Sequence, residues 1–371
     1  MQRIPARIGD TVAAVETPAL VVDLDAFEHN LDLMANAVRG SGLALRPHAK
    51  SHKCVEIAKA QMARGAIGIC CQKVDEAAVF VAGGIPNVLV TNEVVTPSKM
   101  ARLAAVAQSA TVGVLVDDLR VIDDLSAAAT MAGGTLHVYV EIDVGAHRCG
   151  VEPGAAAVPI AQAAARARGL RFRGLHAYHG AAQHFRKPAE RRAAIAQASE
   201  LAAQTKALIE AAGIECPVVT GAGTGTWQLE RDSHVYTELQ PGSYIFMDAD
   251  YARNALAPDD HAFEHSLYVL STIMSVPTRE RAIVDAGLKA LAFDSGPPIV
   301  HAARGLTYEK GSDEHGVLSV DAKQAQPALG DRVWLIPGHC DPTVNLYDWI
   351  VGMRGERVEC VWPVAARGAV G

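Results

Sequence analysis

Along the first two thirds of the chain two textures alternate: short runs rich in Val, Ile and Leu, and Ala-rich stretches in which apolar residues recur at helical spacing. After a strand over residues 19–24 and a helix near 27–38, strands are predicted at 43–47, 68–72, 88–91, 112–116, 136–142, 171–178, 217–220 and 244–247. Between most of them lie helices, at 54–64, 75–82, 97–108, 119–132, 155–168 and 189–212, where Ala, Leu, Glu and Lys favour that conformation. Eight successive βα units is the number that closes a parallel barrel. The alternative, a doubly wound open sheet, expects a Gly-rich phosphate loop after its first strand. Here the stretch 220–226 (TGAGTGT) follows the seventh, where barrels commonly bind phosphate. From about Asp260 the pattern turns to strand-like runs (266–274, 281–284, 332–335, 357–362) separated by turn formers. The fold class expected is therefore α/β: a (β/α)8 barrel over 20–260, then a C-terminal β domain over 261–371 that the N-terminal segment 1–19 joins.

Composition narrows the function. The chain has 371 residues, half of them hydrophobic, with 34 Lys+Arg against 41 Asp+Glu for a net charge of -7. The apolar content excludes disorder. Mild acidity without a basic run argues against nucleic acid or an anionic membrane as partner. The first twenty residues carry Arg3, Arg7, Asp10 and Glu16 and lack the apolar centre of a signal peptide, and no segment has the ~18 consecutive apolar residues of a membrane span. Seven scattered cysteines do not form a disulfide framework. A soluble cytoplasmic protein is expected.

Candidate chemistry gathers at the strand ends. Residues 45–53 (LRPHAKSHK) put Lys50 among other basic groups at the end of the first barrel strand. A lysine among cations has a depressed pKa and serves as an amine nucleophile for a carbonyl. Other strand ends add Gln72, Glu93, Asp117, the run 141–148 (EIDVGAHR) and the run 176–179 (HAYH). Tyr178 and His179 adjoin, so on a strand only one of them faces the mouth. Residues 336–348 (IPGHCDPTVNLYD) offer a metal pair: if the segment is extended, His339 and Asp341 share a face and Cys340 points away. The same residues also fit a plain hydrogen-bonded turn.

These motifs, with TPALVVDLD at 17–25, GICCQKV at 68–74, RCG at 148–150, AYHG at 177–180, GAGTG at 221–225 and PGHCDPT at 337–343, resemble the D-threonine aldolase group. That group stands with D-serine dehydratase and D-3-hydroxyaspartate aldolase among the fold-type III pyridoxal-phosphate enzymes, built like alanine racemase. The resemblance implies that Lys50 holds the cofactor aldehyde, that Gln72, Arg148 and Tyr178 line its ring, and that Gly223, Thr224, Gly242 and Ser243, with Tyr251, hold its phosphate. It implies a divalent cation on His339 and Asp341. Mn²⁺ or Mg²⁺ is favoured over Zn²⁺, because aldolases present His-x-Asp where dehydratases present His-x-Cys. The implied reaction is a reversible retro-aldol of a D-3-hydroxy amino acid to glycine and an aldehyde, with His179 or His184 moving the proton. The implied assembly is a homodimer. A dehydratase on the same scaffold and a non-catalytic pyridoxal-phosphate binder are the alternatives.

Overall fold

The computed structural model describes residues 3–258, 260–303 and 305–371. The first strand, β1 (Ala19–Asp23), ends on a helix cap: the Asp23 carboxylate accepts the N–H groups of Asp25 and Ala26 at 3.0 and 3.3 Å. Helix α1 (Leu24–Val38) therefore begins three residues before its apolar spacing indicates. Eight strands then follow: β2 (Ala44–Leu45), β3 (Ile69–Cys71), β4 (Asn87–Glu93), β5 (Thr111–Val116), β6 (Leu136–Glu141), β7 (Leu170–His176), β8 (Val218–Gly221) and β9 (Glu238–Leu239). The intervening helices are α2 (Val55–Ala63), α3 (Val74–Ala82), α4 (Pro97–Val106), α5 (Ile122–Ala132), α6 (Ala157–Arg166), α7 (Pro188–Ala211) and α8 (Trp227–Asp232).

All eight strands pair in parallel, in the order β2-β9-β8-β7-β6-β5-β4-β3. The two ends of this sheet meet through a parallel bridge between His48 and Cys70 and through the bonds Ile67 N–H to Leu45 O (2.9 Å) and Cys70 N–H to Pro47 O (2.8 Å). The sheet thus closes as a barrel. Strand alternation divides the side chains. Cys70, Leu89, Leu115 and Tyr139, from four consecutive strands, form a small cluster of their own, while Ile69, Cys71, Val88, Val90, Val114 and Val138 pack with the helices in the main core.

The expected eighth strand is corrected. It lies at Glu238–Leu239, not at 244–247. Pro241, without an N–H, ends the ladder, and Ser243–Ile245 form a single 3₁₀ turn whose Tyr244 and Ile245 are buried on all sides. An apolar run buried all round looks like a strand by composition alone.

Beyond the barrel come β10 (Leu267–Thr278), β11 (Arg281–Val284), β12 (Ile299–His301), β13 (Leu306–Gly311), β14 (Gly316–Val320), β15 (Arg332–Ile336), the short helix α9 (Cys340–Val344), β16 (Trp349–Arg354) and β17 (Arg357–Pro363). The long β10 joins them: residues 267–270 pair β1, residues 269–272 pair β15, and from Ile273 onward the strand pairs β11. Strand β1 lies between β10 and β16, so the chain starts in this sheet before it enters the barrel. No described helix is long and apolar enough to cross a membrane.

Buried Asn30 on α1 fastens the junction. Its amide donates to the carbonyls of Ile245 (3.3 Å) and Glu264 (2.8 Å), and its oxygen accepts the Glu264 N–H (2.8 Å). Asn30→Ala leaves these backbone groups unpaired and is expected to cost about 2 kcal/mol of stability, read as a lower denaturant midpoint. An unchanged midpoint would show that the junction does not depend on this side chain.

Candidate active site

Lys50 sits where β2 gives way to a 3₁₀ turn over Ala49–Ser51. The turn is capped by His48, whose Nδ1 accepts the Lys50 N–H at 3.3 Å. Behind it lies Gly242, where a Cβ would come within 2.6 Å of Ser51 Oγ and 2.8 Å of His48 O, so that only glycine permits the approach. Gly223 and Thr224 arrive on the loop after β8, which reverses through Ala222 in the left-handed region (φ 72°).

These elements enclose one cavity at the C-terminal mouth of the barrel, the face on which barrel enzymes place their chemistry. All nine residues named from the sequence as cofactor contacts line it: Lys50, Gln72, Arg148, Tyr178, Gly223, Thr224, Gly242, Ser243 and Tyr251. The Arg148 guanidinium carbon is 5.8 Å from the centre of the Tyr178 ring. Thr91, Ser51 and Gln240 line the same cavity and were missed by the sequence reading, as was the direct part taken by His48 and His176. Gln240 had a signal, since it stands at the C-terminal end of β9, but misplacing that strand hid it.

The basic stretch 45–53 does not act as one patch. Arg46 turns into the barrel and makes a two-pronged bond to Glu238 (3.0 and 3.1 Å), and Lys53 pairs with buried Glu76 at 2.5 Å. Burial holds His48 well below its ordinary range and pushes His52 down to about 3. Lys50 itself donates to Asp341 Oδ2 at 2.5 Å. Burial alone would lower its pKa, but the carboxylate outweighs this and keeps the amine above its ordinary value. The expected depressed lysine is corrected accordingly: its neighbours are neutral or paired, and its partner is an anion.

Asp341 lies in the first turn of α9 and His339 is the residue that caps it, so the segment is not extended as its sequence pattern allowed. Asp341 Oδ1 accepts from Ser243 Oγ and from the Cys340 thiol, both at 3.3 Å. Cys340 is fully buried, and burial raises its thiol well above the usual range. Asp294 Oδ2 lies 2.9 Å from His339 Nδ1, leaving Nε2 as the ring nitrogen free for a ligand. A carboxylate behind a histidine is the usual support of a metal-binding imidazole.

The two histidines named as proton carriers separate. His184 Nδ1 lies 2.5 Å from Asp250 Oδ2, and its ring is 5.7 Å from that of Tyr251 on the cavity wall. Asp250 also accepts from Arg186 and Arg253, which fixes the loop that carries Tyr251. His179 is buried outside the cavity lining. It packs so closely on Gly145 that a Cβ there would stand 2.5 Å from its Nε2, and its Nδ1 accepts the Ala182 N–H at 3.4 Å.

The donor sets suit the two groups that the sequence implies. Thr224 Oγ1 and Ser51 Oγ are buried hydroxyls without any hydrogen-bond partner, and both border the cavity, as a phosphate cradle requires. Asp341 is a largely buried carboxylate that now depends on the Lys50 ammonium for its counter-charge, so consuming that amine leaves a place for another cation. Among the described residues no set of three His, Cys, Asp or Glu gathers to hold a metal. A cation on His339 and Asp341 would thus complete its shell with water or substrate oxygen, which suits Mn²⁺ or Mg²⁺.

Comparison with known proteins agrees with this geometry. Residues 22–250 match the alanine racemase N-terminal domain family, and residues 266–353 match a serine dehydratase domain family. A D-threonine aldolase of Arthrobacter sp is 47% identical over 364 residues, covering 98% of this chain and 96% of that protein. A 3-hydroxy-D-aspartate aldolase of Paracoccus denitrificans is 46% identical over 371 residues, covering 98% and 95%. The crystal structure of a D-threonine aldolase from Filomicrobium marinum superposes with a TM-score of 0.97 at 51% identity, covering 99% of this chain and all of that one. The chain belongs to the family of D-threonine and 3-hydroxy-D-aspartate aldolases, built on the alanine racemase fold.

Proposed function

We propose that this protein is a pyridoxal-phosphate- and divalent-metal-dependent aldehyde-lyase that cleaves D-threonine and related D-3-hydroxy amino acids reversibly to glycine and an aldehyde. We take it to work as a cytoplasmic homodimer; seven free thiols suit a reducing compartment. The observation that carries the reading is the contact between Lys50 and Asp341 at 2.5 Å. It joins a lysine at the mouth of a cavity with a phosphate cradle to the carboxylate of a His-x-Asp pair.

Lys50 holds the carbonyl carbon of the cofactor; Ser51, Gly223, Thr224, Gly242 and Ser243 hold its phosphate. Gln72, Arg148, Tyr178 and Tyr251 frame the ring, and His339 with Asp341 hold the cation. When bound, the cofactor supplies an electron sink for the carbanion left by Cα–Cβ cleavage, and the cation lowers the pKa of the substrate β-hydroxyl. His184 is the better placed of the two histidines to take that proton. Its ring lies against Tyr251 on the cavity wall, and Asp250 at its Nδ1 fixes the tautomer and leaves Nε2 as the base, whereas His179 packs against Gly145. Asp341, in place of the cysteine that dehydratases present, favours carbon–carbon cleavage over loss of hydroxide.

Incubation with D-threonine, the cofactor and Mn²⁺ or Mg²⁺, followed by separate assays for glycine with acetaldehyde and for 2-oxobutanoate with ammonia, tests the reading. Glycine and acetaldehyde in equal amounts are expected. Formation of 2-oxobutanoate without glycine would assign the chain to the dehydratases.

A further inference from the structure

Three acidic residues stand at neighbouring strand ends and have no part in the chemistry above: Glu93 at the end of β4, Asp117 after β5 and Glu141 at the end of β6. The carboxyl groups of Glu93 and Glu141 are within hydrogen-bonding reach of each other, and Glu93 Oε1 is buried without a hydrogen-bond partner. Two carboxylates can only accept, so such a contact stands only if one of them carries a proton. On its other side Glu141 faces the cavity wall: its Oε1 is 3.6 Å from His176 Nδ1 and 3.8 Å from Arg148.

A chain of hydrogen bonds through the barrel fixes a proton on His176 Nε2. Glu238, bound by Arg46, accepts the single proton of Thr220 Oγ1 at 2.7 Å. Thr220 must then accept from the Gln240 amide nitrogen, also at 2.7 Å, which turns the Gln240 oxygen to His176 Nε2 at 3.2 Å. His176 therefore carries a proton on Nε2. Its Nδ1, buried and without a hydrogen-bond partner, is left to Glu141.

We propose that Glu93 and Glu141 act as one acid pair sharing a single proton, and that Glu141, as its carboxylate member, is a positioning residue that faces the Nδ1 edge of His176 and holds Arg148 against Tyr178. The inference rests on the reading that this cavity binds pyridoxal phosphate. Burial, then Glu141 and Asp117, push Glu93 up to about 8, whereas His176, the Glu93 proton and Arg148 hold Glu141 low against the effect of its own burial. The groups facing the pair are Asp117 from the β5 loop, Arg148 and Cys149 from the β6 loop, and His176 from β7. Asp117 accepts the Gly150 N–H at 3.1 Å, and burial raises the Cys149 thiol to about 11. Below its pKa Glu93 keeps its proton and the pair carries one negative charge. Above it, a second negative charge competes for Arg148 and His176 and faces an anionic cofactor.

The apo-protein of the wild type and of Glu93→Gln, Glu141→Gln and Glu141→Asp is titrated with pyridoxal 5'-phosphate from about pH 6 to about pH 10, with binding read from absorbance and fluorescence. Wild-type affinity is expected to fall ~10-fold through a step near pH 8. Glu93→Gln, isosteric and permanently neutral, is expected to lose that step and keep the affinity of the low-pH form. Glu141→Gln is expected to bind ~10-fold more weakly at every pH, with most of the loss recovered by Glu141→Asp. An unaltered pH profile in Glu93→Gln, wild-type affinity in Glu141→Gln, or failure of Glu141→Asp to recover it overturns the proposal. A wild type that binds no cofactor at all rejects the underlying reading instead.

Discussion

Lys50→Ala is expected to lower kcat for D-threonine by ~10⁴-fold or more, because a covalent role cannot be taken over by a neighbouring side chain. Lys53 is the next lysine along the chain, but its amine is tied to buried Glu76 at 2.5 Å. His48 and Ser51 border the cavity without an amine to offer. The variant should still fold. Lys50 is partly exposed, so losing its bond to Asp341 costs on the order of 1 kcal/mol after solvent screening, well within the stability of a domain this size. The unpartnered hydroxyls of Ser51 and Thr224 stay at the cavity wall, so cofactor is expected to bind weakly and dialyse away, with no fraction fixed by borohydride. Retained turnover, or a chromophore still fixed by borohydride, would show that another lysine holds the cofactor.

The second large effect is expected at the His-x-Asp pair. His339→Ala should lower kcat by ~10³-fold while cofactor binding is kept, because His339 is not among the residues that line the cavity. A chelator should bring the wild type to the same residual rate. Added Mn²⁺ or Mg²⁺ should restore the wild type and not the variant. Asp341→Asn combines two losses, the ligand charge and the counter-charge of Lys50, and should impair cofactor binding as well as turnover. Asp294→Asn, which touches only the far side of His339, is expected to weaken metal affinity by 10- to 100-fold, on the order found for such supporting carboxylates, without abolishing the saturated rate. If His339→Ala and the chelated wild type differ widely in rate, the cation is held elsewhere.

Much of this architecture was legible in the sequence because α/β barrels repeat one signal. Seven of the eight barrel strands and six of their helices fall where the alternation of β-branched runs and Ala-rich stretches puts them. The eighth strand did not, because Glu238–Leu239 is two residues long and polar at its start, while the buried 3₁₀ turn behind it reads as a stronger apolar run. Strands β12, β13, β14 and β16 were not legible either: β12 is three residues long, β13 is exposed or half-buried along most of its length, and β14 and β16, though buried in alternation or along the middle, each contain a glycine in a run of five or six residues.

The candidate site divides in the same way. Residues fixed to strand ends, such as Gln72 and Tyr178, fall on the cavity as the strand count indicates. Charge states were not legible, because pairing depends on residues far apart in sequence. Arg46 is neutralised by Glu238 and Lys50 faces Asp341, 192 and 291 positions away. Strand alternation admits only one of Tyr178 and His179 to the mouth, and Tyr178 lines the cavity while the His179 ring packs against Gly145, away from the proton role that the resemblance implied for it.

The central claim is that the whole site is assembled around Lys50. Borohydride reduction of the cofactor-loaded wild type, followed by proteolysis and mass spectrometry of the labelled peptide, measures this most directly. The account predicts one pyridoxyl group per chain, on Lys50. A label on Lys53 or any other lysine, or none at all, would contradict it.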